Sequence, residues 1–81
     1  MLPTDEVIMA GAFEEFAEVV QAAGFRARQC TPWHWQIRDG RFLVNYYPTS
    51  GKIYAINRHT GKGAMLYGER DKALAVARFR G

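Results

Sequence analysis

Apolar positions change their period once along this chain, and the change divides it into two kinds of structure. Early on, Phe13, Phe16, Ala17 and Val20 fall at i, i+3, i+4 and i+7, the spacing of a stripe along one side of an α-helix. Glu14, Glu15 and Glu18 lie off that stripe. Thr4 or Asp5 can cap the helix, with Asp5 and Glu6 set against the positive end of its dipole. Gly24 is the natural stop, and Gly11 weakens the middle.

From Phe25 onward the period is two. Residues 25–30 read as a first strand broken by Thr31-Pro32, residues 33–38 as a second, 41–47 as a third and 52–57 as a last. Asp39-Gly40 is a tight hairpin signal, and Pro48-Thr49-Ser50-Gly51 a four-residue turn. The strands around Pro32 can merge into one bent strand, so the pattern gives three or four. Residues 58–68, with three glycines, read as a loop. Residues 69–79 read as a second helix, with acids in its first turn and Arg78 and Arg80 at its end. The predicted fold is α+β, a small α-β-β-β(-β)-α domain whose antiparallel sheet carries both helices on one face. At 81 residues and 48% hydrophobic content the chain suffices for one core, so residues 1–81 form a single domain ordered over about residues 5–79.

The hairpin fixes which side chains share a face. A two-residue turn at Asp39-Gly40 pairs Arg38 with Arg41, Ile37 with Phe42, Gln36 with Leu43, Trp35 with Val44, His34 with Asn45 and Trp33 with Tyr46. Trp33, Trp35, Ile37, Phe42, Val44 and Tyr46 then form the core face, joined by Ile53 and Ala55 where Tyr46 meets Ile53. The opposite face carries His34, Gln36, Arg38, Arg41, Asn45, Tyr47, Lys52, Tyr54 and Arg58, with Leu43 and Ile56 among them. Aromatic rings can stack on bases, and guanidinium groups pair with phosphate or carboxylate. Arg38, Arg41, Tyr47, Lys52, Tyr54 and Arg58 are therefore the candidate binding residues.

The net charge of +3 conceals a segregation. Residues 1–24 hold five acids and no Lys or Arg. Residues 25–81 hold all eleven bases against three acids, a balance of +8. Such a dipolar molecule can steer polyanions to one side. It also makes Glu14, Glu15 and Glu18 an alternative partner face.

Other chemistry is sparse. Cys30 is the only cysteine, which leaves no intramolecular disulfide or cysteine-rich zinc site, fits a reducing compartment and suggests a small, partly buried strand residue. His34 and His59 have no second ligand at a metal spacing, so no metal or cofactor is expected. Gly61-Lys62-Gly63 lacks the full phosphate-loop pattern and reads as a flexible basic turn. Ser50 has no evident base, and the carboxylates gather on the first helix rather than in a pair suited to acid–base work. The chain starts without a signal-peptide pattern and has no membrane-length apolar run, so a cytoplasmic protein is expected.

Two resemblances add to this reading. Gly24-Phe25, a strand and then His34 resemble the HicA-type toxins, small RNA-cleaving proteins with a double-stranded-RNA-binding-domain-like α-β-β-β-α fold and a catalytic histidine opening the second strand. Of that family's Gly-Ser-His, at Pro32-Trp33-His34, only the histidine is kept. Arg70, Lys72 and Ala73 resemble the phosphate-contacting helix of double-stranded-RNA-binding domains. The strings His34-Trp35-Gln36-Ile37, Val44-Asn45-Tyr46-Tyr47-Pro48-Thr49 and Gly51-Lys52-Ile53-Tyr54 look like small orphan phage and prophage proteins. That resemblance implies a protein that binds host machinery, CRISPR effectors included.

The expected function is thus a small non-enzymatic module that engages nucleic acid or a nucleic-acid-handling protein complex through its basic and aromatic sheet face, with homodimer formation through an exposed strand edge as an option. One alternative is an anti-CRISPR-like inhibitor using the acidic first helix. The other is a HicA-like RNA endonuclease with His34 as its base.

Overall fold

A computed structural model describes residues 5–79; Thr4 and Arg80, named above as a cap and a terminal base, lie outside the described residues. Helix α1 (Asp5–Ala22) buries Phe16 and Val20 and packs Phe13 beside them, three of the four stripe positions the spacing predicts, and adds Met9 and Ala12. Its end is a paired cap. Gly24 adopts φ 90°, its N–H donates to the Gln21 carbonyl, and the Phe25 N–H donates to the Val20 carbonyl. Only a residue without Cβ takes that backbone cheaply.

Five strands follow: β1 (Arg26–Thr31), β2 (His34–Arg38), β3 (Phe42–Tyr47), β4 (Lys52–Asn57) and β5 (Gly63–Tyr67). They form one antiparallel sheet in the order β1-β2-β3-β4-β5, each strand paired with its neighbour in sequence. Helix α2 (Arg70–Arg78) closes the chain. Phe16 and Val20 of α1 and Ala73 and Ala77 of α2 share one buried cluster with Trp35, Ile37, Val44, Tyr46 and Ile53. Both helices thus lie on the same face of an α+β domain, as predicted. The cluster is aromatic at its α1 end, where the Phe16 ring centroid lies 5.0 Å from Trp35 and 5.8 Å from Tyr46.

The structure departs from the sequence reading at four places. First, the pairing of β2 with β3 is Trp35↔Tyr46, Gln36↔Asn45 and Ile37↔Val44, so the turn after Arg38 is wider by two residues than Asp39-Gly40 alone. A two-residue Asp-Gly turn needs positive φ at both central positions, and only Asp39 of the pair adopts it. Gly40 instead is pressed against the helix layer, where an added Cβ would come within 3.0 Å of the Ala77 carbonyl oxygen and of the Phe25 ring. The slip is even, and side chains alternate with period two, so every β2 and β3 residue keeps its predicted face.

Second, residues 58–68 are not a loop throughout. A turn at 58–62 closes a β4–β5 hairpin: Asn57 Oδ1 accepts from the backbone N–H groups of His59 and Thr60, and the Asn57 carbonyl accepts from Gly61, which sits at φ 77°. Gly61-Lys62-Gly63 is the end of that turn and the start of β5. Third, Trp33 leaves the core face. The chain reverses at Pro32-Trp33, next to an irregular register between Gln29 and Thr31, and Trp33 is 40% exposed while Trp35 is 3% exposed. The strands on either side of Pro32 therefore form a hairpin rather than one bent strand. Fourth, Cys30 is exposed rather than partly buried, because β1 is an edge strand and the register is irregular beside it.

Candidate functional site

With both helices on one side, the other side of the sheet has no helix over it among the described residues. Paired residues of adjacent antiparallel strands point to the same side. The registers therefore lay out rows across this open face. Arg28, Gln36, Asn45, Tyr54 and Met65 make one row, from β1 to β5. Arg26 and Arg38 begin a second, which runs by the same alternation through Leu43 to Ile56 and Gly63. His34, Tyr47, Lys52 and Tyr67 lie in a third.

Of the six candidate residues, Arg38, Tyr47, Lys52 and Tyr54 project from β2, β3 and β4 on this face. Arg41 and Arg58 sit at one end of the sheet, in the segments after β2 and after β4. The Arg58 N–H donates to the Arg41 carbonyl, and Arg58 Nη1 donates to the Gly40 carbonyl at 3.4 Å, which ties these two segments together.

The face also holds residues the sequence reading missed. Arg26 and Arg28 flank Ala27, whose side chain packs on the core, so the alternation Arg-Ala-Arg is the signal that places both guanidinium groups opposite the helices. Met65 and Tyr67 come with β5, whose mixed pattern gave no clean alternation to read. Arg26 grips Asp39 with Nε and Nη2, and this fork holds the Asp39 carboxyl below the usual carboxylate range while raising Arg26. Arg28 and Arg38 have no carboxylate at salt-bridge distance among the described residues. Asp39 is the acid that pairs with a base of this face; Glu14, Glu15 and Glu18 are exposed on α1, in the opposite layer. The acids of α1 thus lie across the sheet from this face, in a layer that also carries Arg70, Lys72 and Arg78 of α2.

Asn45 organises the middle. Although it belongs to the open face it is only 7% exposed. Its Oδ1 accepts from His34 Nε2 at 2.8 Å and from Gln36 Nε2 at 2.9 Å, and its Nδ2 donates to the Tyr54 carbonyl at 3.2 Å. A buried amide with its donors and acceptors used locks neighbouring strands together. His34 is further held by Tyr47, with parallel rings 4.6 Å apart and 8° between planes, and Lys52 Nζ stands 5.8 Å from the Tyr47 centroid. Since β3 lies between β2 and β4, Tyr47 has a partner on each side. On the helix face, burial pushes the Tyr46 phenol up.

Among the described residues no group of three His, Cys, Asp or Glu is placed to hold a metal ion, and no helix is long and apolar enough to cross a membrane. What the open face offers chemically is fixed positive charge, amide groups and rings. No protein-family model matches the chain, and neither a curated protein nor a solved structure matches it.

Proposed function

We propose that the protein is a non-enzymatic binding module whose open sheet face engages nucleic acid, in the phage or prophage context that the resemblance of its strand sequences implies. One observation carries the reading: Arg26, Arg28, Arg38 and Lys52 share a face with no helix over it among the described residues, where Asp39 is paired with Arg26, while the acids of α1 lie on the helix side. Arginine and lysine concentrated on this face draw an approaching polyanion to it. Contacts made chiefly to phosphate give affinity that falls steeply with salt and tolerates changes of sequence.

Charge reversal tests this. Arg28→Glu with Arg38→Glu removes two guanidinium groups that hold no ion pair, so the fold is expected to survive, as judged by thermal melting. Binding to labelled nucleic acid should weaken by at least tenfold at low salt, and the slope of log affinity against log salt should become shallower. Unchanged affinity and slope would remove this face from the function.

A second reading rests on the exposure of Glu14, Glu15 and Glu18 along one helix. In it the acidic helix imitates a nucleic acid and occupies a basic groove of a host defence protein, as an anti-CRISPR-like inhibitor would. Reversal of these three charges would then abolish capture of that partner, and reversal on the sheet would not. The HicA-like reading receives less support from the site, because His34 is half-buried with Nε2 bonded to Asn45 and its ring laid on Tyr47.

A further inference from the structure

The rings of the open face are not equivalent. Tyr47 is taken on both sides, by His34 and by Lys52. Tyr54 has no ring partner among the described residues and is 37% exposed. Its far end rests on Gly63 of β5: a Cβ added there would overlap the Tyr54 Oη and fall 2.6 Å from Cζ, a space only glycine leaves open. Met65 is the direct cross-strand partner of Tyr54, so the ring reaches Gly63 by leaning diagonally across β5. It lies along the sheet instead of standing up from it. Asn45 fixes the backbone beneath through the Tyr54 carbonyl.

A ring in this posture turns its outer side to solvent, on a basic surface, with no ring stacked against it among the described residues. We propose that Tyr54, laid over Gly63, is a stacking platform for an unpaired nucleobase, and that the ligand of this face is single-stranded nucleic acid. A base inside a duplex is already stacked on both sides and cannot reach a ring lying on a sheet, whereas a base in a single strand can turn outward. With neighbouring strands about 4.8 Å apart, Arg38 on β2 stands about 10 Å from β4, and Arg28 on β1 one strand further. These guanidinium groups then take phosphates beside the stacked base. The inference rests on reading the open face as a nucleic-acid surface.

The test uses the full chain and one labelled oligonucleotide sequence in three forms: single-stranded DNA, single-stranded RNA and the DNA annealed to its complement. Affinities are measured by fluorescence anisotropy over a salt series. Both single strands, or one of them, should bind more tightly than the duplex, and the two single-stranded arms separate RNA from DNA. Tyr54→Ala should weaken single-strand binding roughly 5- to 150-fold, the usual worth of one stacked base, with the salt slope unchanged. Tyr54→Phe should retain the affinity. Gly63→Ala, which pushes the ring off its seat, should weaken single-strand binding in the same direction, with thermal melts confirming that each variant is folded. Salt-dependent binding in which the duplex is held at least as tightly, or in which Tyr54→Ala changes nothing, would overturn the platform and leave the basic face standing. Absence of salt-dependent binding to any form would overturn the basic face, and the platform with it.

Discussion

Arg26, at the start of β1, holds both carboxylate oxygens of Asp39, thirteen residues away in the turn that follows β2. The pair staples the outer end of the β1–β2 hairpin to the turn that widens the β2–β3 connection. Asp39 also carries the one positive φ of a non-glycine residue among those described, 75°. Short polar side chains accept that conformation more readily than others. Arg58 and Arg38 add smaller attractions to the same carboxylate.

This pair gives a pH dependence of definite sign. The folded carboxyl titrates below its ordinary value, so the unfolded chain takes up the proton first as pH falls. The contribution is complete above the ordinary Asp value of about 3.9 and is lost as pH drops through the lower folded value. Asp39→Asn keeps a side chain suited to positive φ and removes the charge. Its acid limb of stability, measured by urea unfolding between neutral and low pH, should be flatter than that of the parent. Because both groups are exposed the difference should be small.

Phe16 joins α1 to the sheet through Trp35 and Tyr46 and is 1% exposed. Phe16→Ala leaves a cavity that two rings cannot close, at a cost of about 3–5 kcal/mol. A domain of this size has a total stability on the order of 5–15 kcal/mol, so the variant should unfold at much lower urea, with loss of near-ultraviolet circular dichroism.

Asn45→Ala removes an acceptor shared by His34 and Gln36 and the donor to the Tyr54 carbonyl. The expected loss is about 1–3 kcal/mol in chemical denaturation. Hydrogen exchange should quicken in β2 and β4 before it does in α1.

The two tryptophans report on opposite environments. Trp35 lies in the core, with its indole N–H donating to the Pro32 carbonyl at 3.1 Å, and Trp33 sits in the exposed turn. Trp33→Phe should shift the emission maximum of the folded protein toward the blue and make the red shift on unfolding larger. Trp35→Phe should leave emission near that of a solvated indole in both states. Equal emission from the two variants would contradict the placement of Trp33.

Glu14→Lys with Glu15→Lys and Glu18→Lys changes only exposed positions in the layer opposite the proposed ligand. Melting temperature should move little. Nucleic-acid affinity should stay level or rise modestly, in contrast to its loss on Arg28→Glu with Arg38→Glu. A large loss from the helix reversal would favour the acidic-helix reading.

Much of this architecture was legible because periodicity survives errors of length. The turn after Arg38 is two residues wider than its Asp-Gly signal implies, yet Arg38 and Tyr47 remain on the open face and Ile37 and Val44 remain in the core. A slip of one residue would have exchanged them. Lys52 to Asn57 and the Tyr46↔Ile53 pairing lie where the pattern puts them, since a four-residue turn fixes that register. Strand β5 was hidden by its glycine start and by exposed residues on both sides of it, so neither face is marked by polarity. Trp33 was misplaced because size and hydrophobicity cannot reveal that Pro32 begins a reversal. Among the site residues, the row of charge could be read from alternation. The seat of Tyr54 on Gly63 cannot, because it depends on β5, a strand whose sequence pattern is that of a loop.

Every strand of this sheet lies beside the strand made just before it. Each hairpin can close as soon as its second half is available, at small entropic cost and without waiting for distant chain. The segment that follows β5 is the one that delivers Ala73 and Ala77 to the middle of the core. Before it docks, Ile37 and Val44 face water across an unfinished layer, so shortening the protein from its C-terminal side should leave a sheet that forms readily and clumps, whereas lengthening the turn at 58–62 should be tolerated.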